Sequence, residues 1–459
     1  MQLDPTIFRA YDIRGIVGRN LTEDVVRVIG RAYAAEATES GQSRVAVGYD
    51  GRHSSPSLKD ALASGLNAGG LDVIDTGQVP TPLLYFATHE LDTGAGVMIT
   101  GSHNPSEYNG LKMMLGGKAL AGDAIANLKT RIDQGAFSQG AGGLSQAGIT
   151  RRYIDRILGD VKIAHPPKVV VDCGNGVAGG VAPQLLRELG CQVIELYCDI
   201  DGDFPNHHPD PADPANLTDL LAAVRTEGAD CGLAFDGDGD RIGLVTRGGR
   251  IVWPDVLMML FAEDILARNP GAGIVYDVKC SHRLGNLVSR LGGEAIMSRT
   301  GHSHIKARLR ETGALLGGEF SGHICFSERW YGFDDALYSA ARLLEILGAD
   351  AAQNGSIDAM FDRFPQTSST PELKISTTET RKFEIIEALA RKADFGDGAV
   401  TAIDGLRVDY ADGWGLIRAS NTSPMLTLRF EADDVPALER IQHTFQAQLD
   451  AVDPSLRFL

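Results

Sequence analysis

Paired cysteines, long apolar runs and positive charge are all scarce in this sequence of 459 residues. The six cysteines include no CxxC pair, and a chain of this length does not need disulfides to stabilise its core. We therefore expect reduced thiols and a cytoplasmic protein. The six are Cys173, Cys191, Cys198, Cys231, Cys280 and Cys325.

The most apolar helix candidate, residues 256–262, ends at Glu263 and Asp264, so we expect no membrane span. Residues 1–15 are charged and have no apolar centre, so we expect no signal peptide. The formal net charge of −17 disfavours non-specific binding of nucleic acid. An anionic substrate would need a local cationic site.

Three segments of the chain repeat one pattern of short apolar strands separated by stretches of helix length. Each segment opens with a β-branched run, and its third strand precedes a polar loop. The opening runs are residues 44–49, 168–172 and 273–277, and the third strands are residues 96–99, 231–235 and 313–316. Ligands bind beyond the carboxyl ends of strands in open α/β sheets, so the three loops are predicted to share one cleft.

The C-terminal part of the chain has a different pattern, with three closely spaced short strands and a helix from residue 435 to about 449. The strands are residues 405–410, 415–418 and 425–430. We predict an α/β protein: three similar α/β modules with mixed, mostly parallel sheets, then an α+β domain, around a central cleft. The predicted domains are residues 1–148, 149–250, 251–364 and 365–459.

The first polar loop, residues 100–105 (TGSHNP), offers the hydroxyl of Ser102 just after a strand. Glycine at 101 allows a tight turn and the close approach of a phosphate. Ser102 could carry a phosphoryl group, or it could be an N-cap in front of a helix. A Ser-His-Asp triad using His103 is disfavoured, because adjacent side chains rarely face each other and no GxSxG motif is present.

The second loop, residues 236–241 (DGDGDR), alternates three carboxylates with glycine. Hard oxygen ligands next to a phosphate site suit Mg²⁺. The loop is not an EF-hand, since its sixth and twelfth positions are Arg241 and Arg247. A solvated acidic turn is the other interpretation, but three close carboxylates repel one another without a cation.

The third loop, residues 318–323 (GEFSGH), places Glu319, Ser321 and His323 at alternate positions. In an extended conformation they would share one face and could bind sugar hydroxyls. A half-buried strand with a polar outer side fits the pattern equally well.

A fourth loop, residues 418–424 (RASNTSP), is dense in hydrogen-bond donors around Arg418. A guanidinium surrounded by hydroxyls and backbone N–H groups is typical of an anion site, although polar turns are also common.

Two further patterns could indicate a binding site, but each also fits a purely structural role. Residues 174–179 match GxGxxG with Glu195 downstream, but a lone match of this type is weak evidence for dinucleotide binding. Residues 204–211 (FPNHHPDP) resemble a rigid loop, and a metal site there would lack a second group of ligands.

Together, these motifs resemble the α-D-phosphohexomutase family, and most closely its bacterial phosphomannomutase/phosphoglucomutase group. The resemblance covers essentially the full length and keeps the motif order, starting from residues 11–15 (YDIRG). It implies four domains around a deep cleft, with one α/β topology shared by the first three.

The resemblance also implies roles for individual residues. Ser102 would be the phosphoserine and, with Asp236, Asp238 and Asp240, would hold one Mg²⁺ per chain. Residues matching positions near the reacting phosphate are Arg14, Lys112, Arg241 and His302. Residues matching sugar or distal phosphate contacts are Tyr11, Lys279, Glu319, Ser321, His323, Arg418, Ser420, Asn421 and Thr422.

The implied reaction interconverts hexose 1-phosphate and hexose 6-phosphate through a 1,6-bisphosphate that turns around in the cleft. Glucose 1,6-bisphosphate would act as activator, and the enzyme would be a monomer that binds only small sugar phosphates. His302 and Lys112 both remain candidates for the general base.

The residue after Glu319 separates subgroups of this family. It is Phe320 here, apolar like the methionine common in the phosphomannomutase/phosphoglucomutase group, whereas phosphoglucosamine mutases usually have glutamine. Because phenylalanine also departs from the expected methionine, residue 320 does not fix the sugar, and phosphoglucosamine mutase is an alternative function. A Mg²⁺-dependent serine phosphatase and a catalytically silent sugar-phosphate sensor are more distant ones.

Overall fold

The computed structural model describes residues 3–354, 356–364, 366–420 and 423–458, with the backbone alone for 350–354. Four successive units are defined here by their β-sheets. In the described part of the chain, no helix is long and apolar enough to cross a membrane.

The first unit contains a seven-stranded mixed sheet in the order β1-β5-β4-β2-β3-β7, with β6 paired to β5. Its strands are β1 (Ile13–Ile16), β2 (Arg44–Tyr49), β3 (Asp72–Gln78), β4 (Ala95–Ile99), β5 (Tyr108–Leu115), β6 (Lys118–Ala119) and β7 (Leu144–Gln146). Its helices are α1 (Glu23–Glu39), α2 (Ser55–Ala68), α3 (Thr81–Glu90) and α4 (Asp123–Gln134). Strands β2, β3, β4 and β7 are parallel, whereas β5 runs antiparallel to β4.

The second unit has a five-stranded sheet in the order β12-β11-β10-β8-β9. Its strands are β8 (Lys168–Asp172), β9 (Gln192–Leu196), β10 (Cys231–Phe235), β11 (Ile242–Thr246) and β12 (Ile251–Val252), and its helices are α5 (Thr150–Asp160), α6 (Ala182–Glu188) and α7 (Thr218–Glu227). Strand β8 is parallel to β9 and β10, and β11 returns antiparallel to β10.

The third unit repeats this arrangement with the strand order β14-β13-β15-β16. Its strands are β13 (Gly273–Asp277), β14 (Glu294–Ser298), β15 (Leu316–Gly318) and β16 (Ile324–Phe326), and its helices are α8 (Pro254–Arg268), α9 (His282–Arg290), α10 (His302–Thr312), α11 (Ala336–Asn354) and α12 (Ile357–Asp362). Strand β15 begins only at Leu316, later than the sequence indicates, because α10 ends at Gly313 in a left-handed conformation (φ 68°).

The fourth unit is an antiparallel sheet in the order β17-β22-β21-β20-β19, with β18 also paired to β22. Its strands are β17 (Ser368–Ser369), β18 (Leu373–Ser376), β19 (Ala399–Thr401), β20 (Leu406–Tyr410), β21 (Gly413–Ala419) and β22 (Met425–Ala432), and its helices are α13 (Arg381–Lys392) and α14 (Val435–Val452). Helix α14 starts where the side chain of Asp434 accepts a hydrogen bond from the backbone N–H of Ala437.

The predicted α/β architecture with mixed sheets is confirmed. In each of the first three units, the third strand of the repeat is followed by an antiparallel return strand: β4 by β5, β10 by β11 and β15 by β16. The three polar loops are the connections of these pairs, which places them at the carboxyl ends of the parallel strands.

The apolar cores explain how the units are held together. One continuous cluster includes buried side chains of the first three units, such as Leu84, Val171 and Phe326. The fourth unit has its own cluster around Phe430 and Phe445. It contacts the third unit through a small apolar cluster of Val278, Trp414 and Leu416 and through polar contacts.

Candidate active site

The four units meet at a cavity of about 510 Å³ that residues from every unit line. It brings together most of the residues that the sequence singles out. The first unit contributes Tyr11, Arg14, Ser102 and Lys112; the second, Arg241; the third, Lys279, His302, Glu319, Ser321 and His323; and the fourth, Arg418 and Ser420. Asn421 and Thr422 lie outside the described residues.

Ser102 lies in the turn between β4 and β5, and its hydroxyl points to the second unit. Its Oγ is 3.0 Å from Oδ2 of Asp236 and 3.3 Å from Nδ1 of His103. The residue is not an N-cap, because no helix follows it. It has a left-handed backbone (φ 49°), and the neighbouring imidazole reaches the hydroxyl, contrary to the expectation that the two would not face each other.

Burial lowers the pKa of His103 well below its usual value, and nearby Arg241 and Arg14 add to the effect. No carboxylate accepts a hydrogen bond from His103 in the described part of the chain, so a Ser-His-Asp triad is not formed there. The Ser102 hydroxyl instead faces the aspartates of the second loop.

The three carboxylates of this loop, those of Asp236, Asp238 and Asp240, are fully buried, which excludes a solvated acidic turn. One oxygen from each lies within 4.8 Å of the others. Asp238 accepts hydrogen bonds at Oδ2 from Thr81 (2.6 Å) and Lys112 (2.7 Å), whereas its buried Oδ1 has no hydrogen-bond partner. Such an oxygen in an acidic cluster fits a hard divalent cation.

Electrostatics within the cluster support this fit. Burial, followed by repulsion from Asp238 and Asp240, raises the pKa of Asp236 well above its usual value. Burial acts in the same direction on Asp240, but Lys112 and His323 hold its pKa well below the usual value. The single ammonium of Lys112 therefore offsets only part of the acidic charge.

Lys112 is buried on β5 between two carboxylates, with its Nζ 2.7 Å from Asp238 and 2.5 Å from Asp240. Burial opposes its charged form, but these carboxylates raise its pKa above the usual value. Lys112 is thus held as an ammonium, an arrangement that favours electrostatic stabilisation over proton abstraction.

The third loop is a turn and not an extended segment. The backbone N–H of Glu319 donates to the carbonyl of His323 (2.9 Å), and Gly322 has φ 100°. The turn still gathers the three side chains, because Nδ1 of His323 is 2.9 Å from Glu319 and 3.1 Å from Ser321. The alternative interpretation of this loop, a half-buried strand with a polar outer side, is therefore wrong.

His323 also connects this turn to the aspartate loop, since its Nε2 is 3.2 Å from Oδ1 of Asp240. Although burial opposes the charge, Asp240 raises the pKa of His323 to about 9. Glu319 is ionised as well: despite its burial, the hydrogen bond from His323 lowers its pKa to about 2. His323 is therefore an imidazolium between two carboxylates.

His302 begins α10 and stacks on His323 with ring centroids 5.2 Å apart. Its Nδ1 is 2.8 Å from Asp334 and 3.1 Å from Nζ of Lys306. Burial, followed by the charge of Lys306, lowers the pKa of His302, which favours the neutral ring although Asp334 acts in the opposite direction. Sequence reasoning missed Lys306 and Asp334; the i, i+4 spacing of Lys306 from His302 was the available signal for the first.

The anion loop of the fourth unit begins at Arg418 on β21, whose Nε donates to Asp404 (3.0 Å). Ser423 and Thr427 line the cavity next to it. Lys382, which the sequence also did not indicate, is buried beneath the loop, and its Nζ donates to the carbonyls of Ser420 (2.7 Å) and Ser423 (3.1 Å).

Family models match nearly the whole chain. The phosphoglucomutase/phosphomannomutase alpha/beta/alpha domains I, II and III match residues 5–139, 151–249 and 253–367, and the C-terminal domain of the same family matches residues 372–448. The chain belongs to the phosphoglucomutase/phosphomannomutase family. This finding confirms the family resemblance and the four-domain architecture.

Similar proteins agree with this assignment. A phosphomannomutase/phosphoglucomutase of Pseudomonas aeruginosa is 56% identical over 99% of this chain and 97% of its own length. A phosphoglucomutase of Neisseria gonorrhoeae is 52% identical over 97% of each chain. The solved structure of a phosphoglucomutase/phosphomannomutase family protein from Burkholderia thailandensis has a TM-score of 0.95 at 49% identity, over 99% of each chain.

The glycines of residues 174–179 have a structural role in this family member. A Cβ at Gly179 would lie 2.0 Å from the carbonyl oxygen of Cys198, and one at Gly176 would lie 2.9 Å from Gly237 of the aspartate loop. The N–H of Val177 donates to the Gly237 carbonyl (3.1 Å). The turn supports the aspartate loop from behind and does not line the cavity.

Phe320, the residue after Glu319, does not line the cavity either. Its ring is stacked on Trp253 with centroids 5.8 Å apart, and the guanidinium of Arg429 lies 3.4 Å from its centroid. Residue 320 therefore joins the third unit to the fourth.

We expect Phe320→Met to leave the ratio of kcat/KM for mannose 1-phosphate and glucose 1-phosphate within about twofold, because the side chain does not line the cavity. Steady-state kinetics with both sugars check this, with Ser321→Ala, which alters a cavity residue, as the comparison. A change of tenfold or more in Phe320→Met would contradict the packing role.

Proposed function

We propose that this chain is a phosphohexomutase that interconverts hexose 1-phosphate and hexose 6-phosphate, with mannose and/or glucose as the sugar, through phosphorylated Ser102 and a hexose 1,6-bisphosphate. One observation carries the proposal: a nucleophilic hydroxyl and an arginine-based anion loop line one cavity, and that hydroxyl contacts a buried carboxylate cluster just behind the cavity wall. Hydrolysis of a phosphoserine would require no second anion site, so this arrangement favours a mutase over a phosphatase.

In this proposal, phosphorylated Ser102 and the carboxylates of Asp236, Asp238 and Asp240 hold one Mg²⁺. The bound ion would neutralise charge on the phosphoryl oxygens. Glucose 1,6-bisphosphate would act as activator by phosphorylating Ser102 when the serine is free. The sugar hydroxyl takes the phosphoryl group from Ser102 and loses its proton as the bond from phosphorus to the serine oxygen breaks. The leaving serine oxygen takes up a proton in exchange and again donates a hydrogen bond to Asp236.

The remaining cations act on the transferring group by charge and by alignment. Lys112 is fixed as an ammonium, and Arg14 and Arg241 line the same part of the cavity. For the proton of the attacking hydroxyl, the neutral ring of His302 is a better acceptor than Lys112, because an ammonium has no free electron pair.

Turnover also requires that the nonreacting phosphate stays bound while the other end of the sugar reacts. We assign this role to Arg418, Ser420, Asn421 and Thr422, and contacts to the sugar to Tyr11, Lys279, Glu319, Ser321 and His323. The bisphosphate would then turn around and present its second phosphate to Ser102.

We further propose a cytoplasmic monomer whose ligands are sugar phosphates. The domains proposed are residues 1–148, 149–250, 251–364 and 365–459, carrying the phosphoserine, metal, sugar and distal phosphate loops in that order.

The deciding experiment compares mannose 1-phosphate, glucose 1-phosphate and glucosamine 1-phosphate as substrates, each with a trace of glucose 1,6-bisphosphate. Formation of the 6-phosphate and release of inorganic phosphate are measured in parallel. Fast isomerisation of the mannose or glucose ester supports the proposal. Preference for the glucosamine ester, phosphate release at the turnover rate, or no conversion would each contradict it.

We expect Arg418→Ala to raise KM for hexose 1-phosphate by about tenfold or more, because a charge-assisted contact to a phosphate contributes roughly 1.5–3 kcal/mol. The side chain is mostly buried and paired with Asp404, so its removal should also lower the unfolding temperature, but the folded enzyme should still show the raised KM. Steady-state kinetics and thermal unfolding measure the two effects. Arg440→Ala, which breaks an exposed ion pair to Asp412 in the same unit, is the control, and an unchanged KM in Arg418→Ala would refute the assignment.

A further inference from the structure

Arg52 is a buried arginine whose guanidinium donates hydrogen bonds to main-chain carbonyls of the Ser102 loop. It is 1% exposed and does not line the cavity. Its Nη2 donates to the carbonyls of Ser102 (2.8 Å) and Asn104 (2.6 Å), and its Nη1 donates to those of Pro105 (2.6 Å) and Tyr108 (3.0 Å). One side chain thus satisfies four carbonyls along the turn.

Asp50 completes this support from the same strand end. Its carboxylate accepts hydrogen bonds from the N–H of Gly101 (3.1 Å), the hydroxyl of Ser55 (2.5 Å) and Nε of Arg52 (3.2 Å). A Cβ at residue 101 would lie 2.5 Å from the guanidinium, so glycine is required for the loop to pass this close. The loop is therefore wrapped around Arg52.

The loop needs such support because its own conformation is unfavourable. Ser102 has φ 49°, a left-handed conformation that costs a residue with a Cβ free energy. No strand or helix lies between Ile99 and Tyr108. The bonds to Arg52 and Asp50 hold the Ser102 hydroxyl 3.0 Å from Asp236.

The second unit covers one side of the Arg52 guanidinium. The ring of Phe204 lies 5.0 Å from the Arg52 guanidinium carbon. A few residues further along the same segment, the carbonyl of Pro209 accepts a hydrogen bond from Gly237 (3.2 Å), which lies between two carboxylates of the aspartate loop. The stretch of residues 204–211, which the sequence indicated as a rigid loop, thus contacts both the Ser102 loop and the aspartate loop.

We propose that Arg52 is a positioning residue for phosphoryl transfer, and that with Phe204 it fixes the register between the Ser102 loop and the aspartate loop. The inference rests on the proposed function of Ser102. Arg52 touches neither the sugar nor the phosphate, so it acts through the placement of the serine oxygen. A misplacement of about 1 Å costs up to roughly 10²-fold in rate.

Arg52→Lys tests the proposal, because lysine keeps the charge but loses the planar fork that reaches several carbonyls at once. We expect kcat for glucose 1-phosphate to fall about tenfold or more, while KM stays within about threefold. Phosphorylation of Ser102 by glucose 1,6-bisphosphate, followed by intact mass, should slow to a similar extent.

Arg342→Lys is the matched control, since Arg342 is an equally buried arginine that pairs with Glu328 and Asp264 away from the cavity. It should lower the unfolding temperature without changing kcat by more than about twofold. A folded Arg52→Lys enzyme with the kcat of the original protein would overturn the proposal. The proposal would also be overturned if Arg342→Lys lowered kcat as much as Arg52→Lys does, at an equal loss of stability.

Phe204→Leu provides a second test if Arg52→Lys does not fold. Its expected effect is a two- to fivefold fall in kcat at constant KM, and an unchanged kcat would contradict the proposal. Ser102→Ala separates the positioning role of Arg52 from the proposed function. If Ser102→Ala is inactive while Arg52→Lys and Phe204→Leu have normal kcat, the positioning role fails and the proposed function stands.

Discussion

Ser102→Ala is expected to lower mutase turnover by about 10³-fold or more, since losing the nucleophile of a covalent mechanism removes the intermediate on which both half-reactions depend. The structure supports this size of effect. The Ser102 hydroxyl lies at the cavity, 3.0 Å from Asp236, and its removal leaves the loop supported by Arg52 and Asp50. Conversion of glucose 1-phosphate in the presence of glucose 1,6-bisphosphate measures the loss.

The matched control is Ser339→Ala. Ser339 in α11 is equally buried, but its hydroxyl donates to the backbone carbonyl of Asp335 (2.6 Å), the residue just before that helix. That variant should retain turnover within about twofold. Intact mass adds a second measurement: the original protein should gain one phosphoryl group from the bisphosphate, and Ser102→Ala should gain none. Full activity of Ser102→Ala would remove the basis for a phosphoserine.

Removal of divalent cations is expected to reduce turnover by about 10²-fold or more, with recovery on addition of Mg²⁺. Three buried carboxylates lie close together, their neighbouring cations Lys112 and His323 both contact Asp240, and Oδ1 of Asp238 has no hydrogen-bond partner. A bound cation relieves this repulsion in the folded state alone, so Mg²⁺ should also raise the unfolding temperature, by about 2–5 °C at saturation. Activity after treatment with EDTA and thermal unfolding with added Mg²⁺ check the two effects.

Asp238→Asn should abolish most of this thermal shift, because it removes one anionic ligand. Asp172→Asn is the control: Asp172 is a buried carboxylate at the end of β8 in the same unit, and its partner is His207 (3.0 Å). It should preserve the shift. Full turnover after chelation, or an equal Mg²⁺ shift in Asp238→Asn, would exclude the carboxylate cluster as the metal site.

The elements that position the site follow from local sequence. The strands before the three polar loops are short and apolar, and all three form, although the third, β15, begins at Leu316 and overlaps its predicted range of 313–316 in that residue alone. Strands β17, β18 and β19 did not stand out, because they are short and partly exposed, and their pairing with β22 and β20 is a tertiary effect.

The site itself was predictable where a residue type carries its own chemistry. Ser102 and the three aspartates stand in a recognisable pattern, and the structure places them next to each other. Arg52 and Asp334 had no such pattern, since their partners are distant in sequence: Arg52 contacts a loop about 50 residues away, and Asp334 contacts His302. Such partners are set by the packing of units and not by spacing along the chain.

The separate apolar core of the fourth unit has a consequence for release of the product. The anion loop belongs to a body joined to the rest by one small apolar cluster and by charged contacts, such as those of Arg407 to the Val278 carbonyl and of Arg283 to Asp433. Parting these contacts would expose the buried ring of Trp414 and break the buried hydrogen bonds of Arg407. Salt screens buried contacts much less than exposed ones, so the burial of Trp414, more than ionic strength, should govern how readily the cavity opens to let a sugar bisphosphate escape.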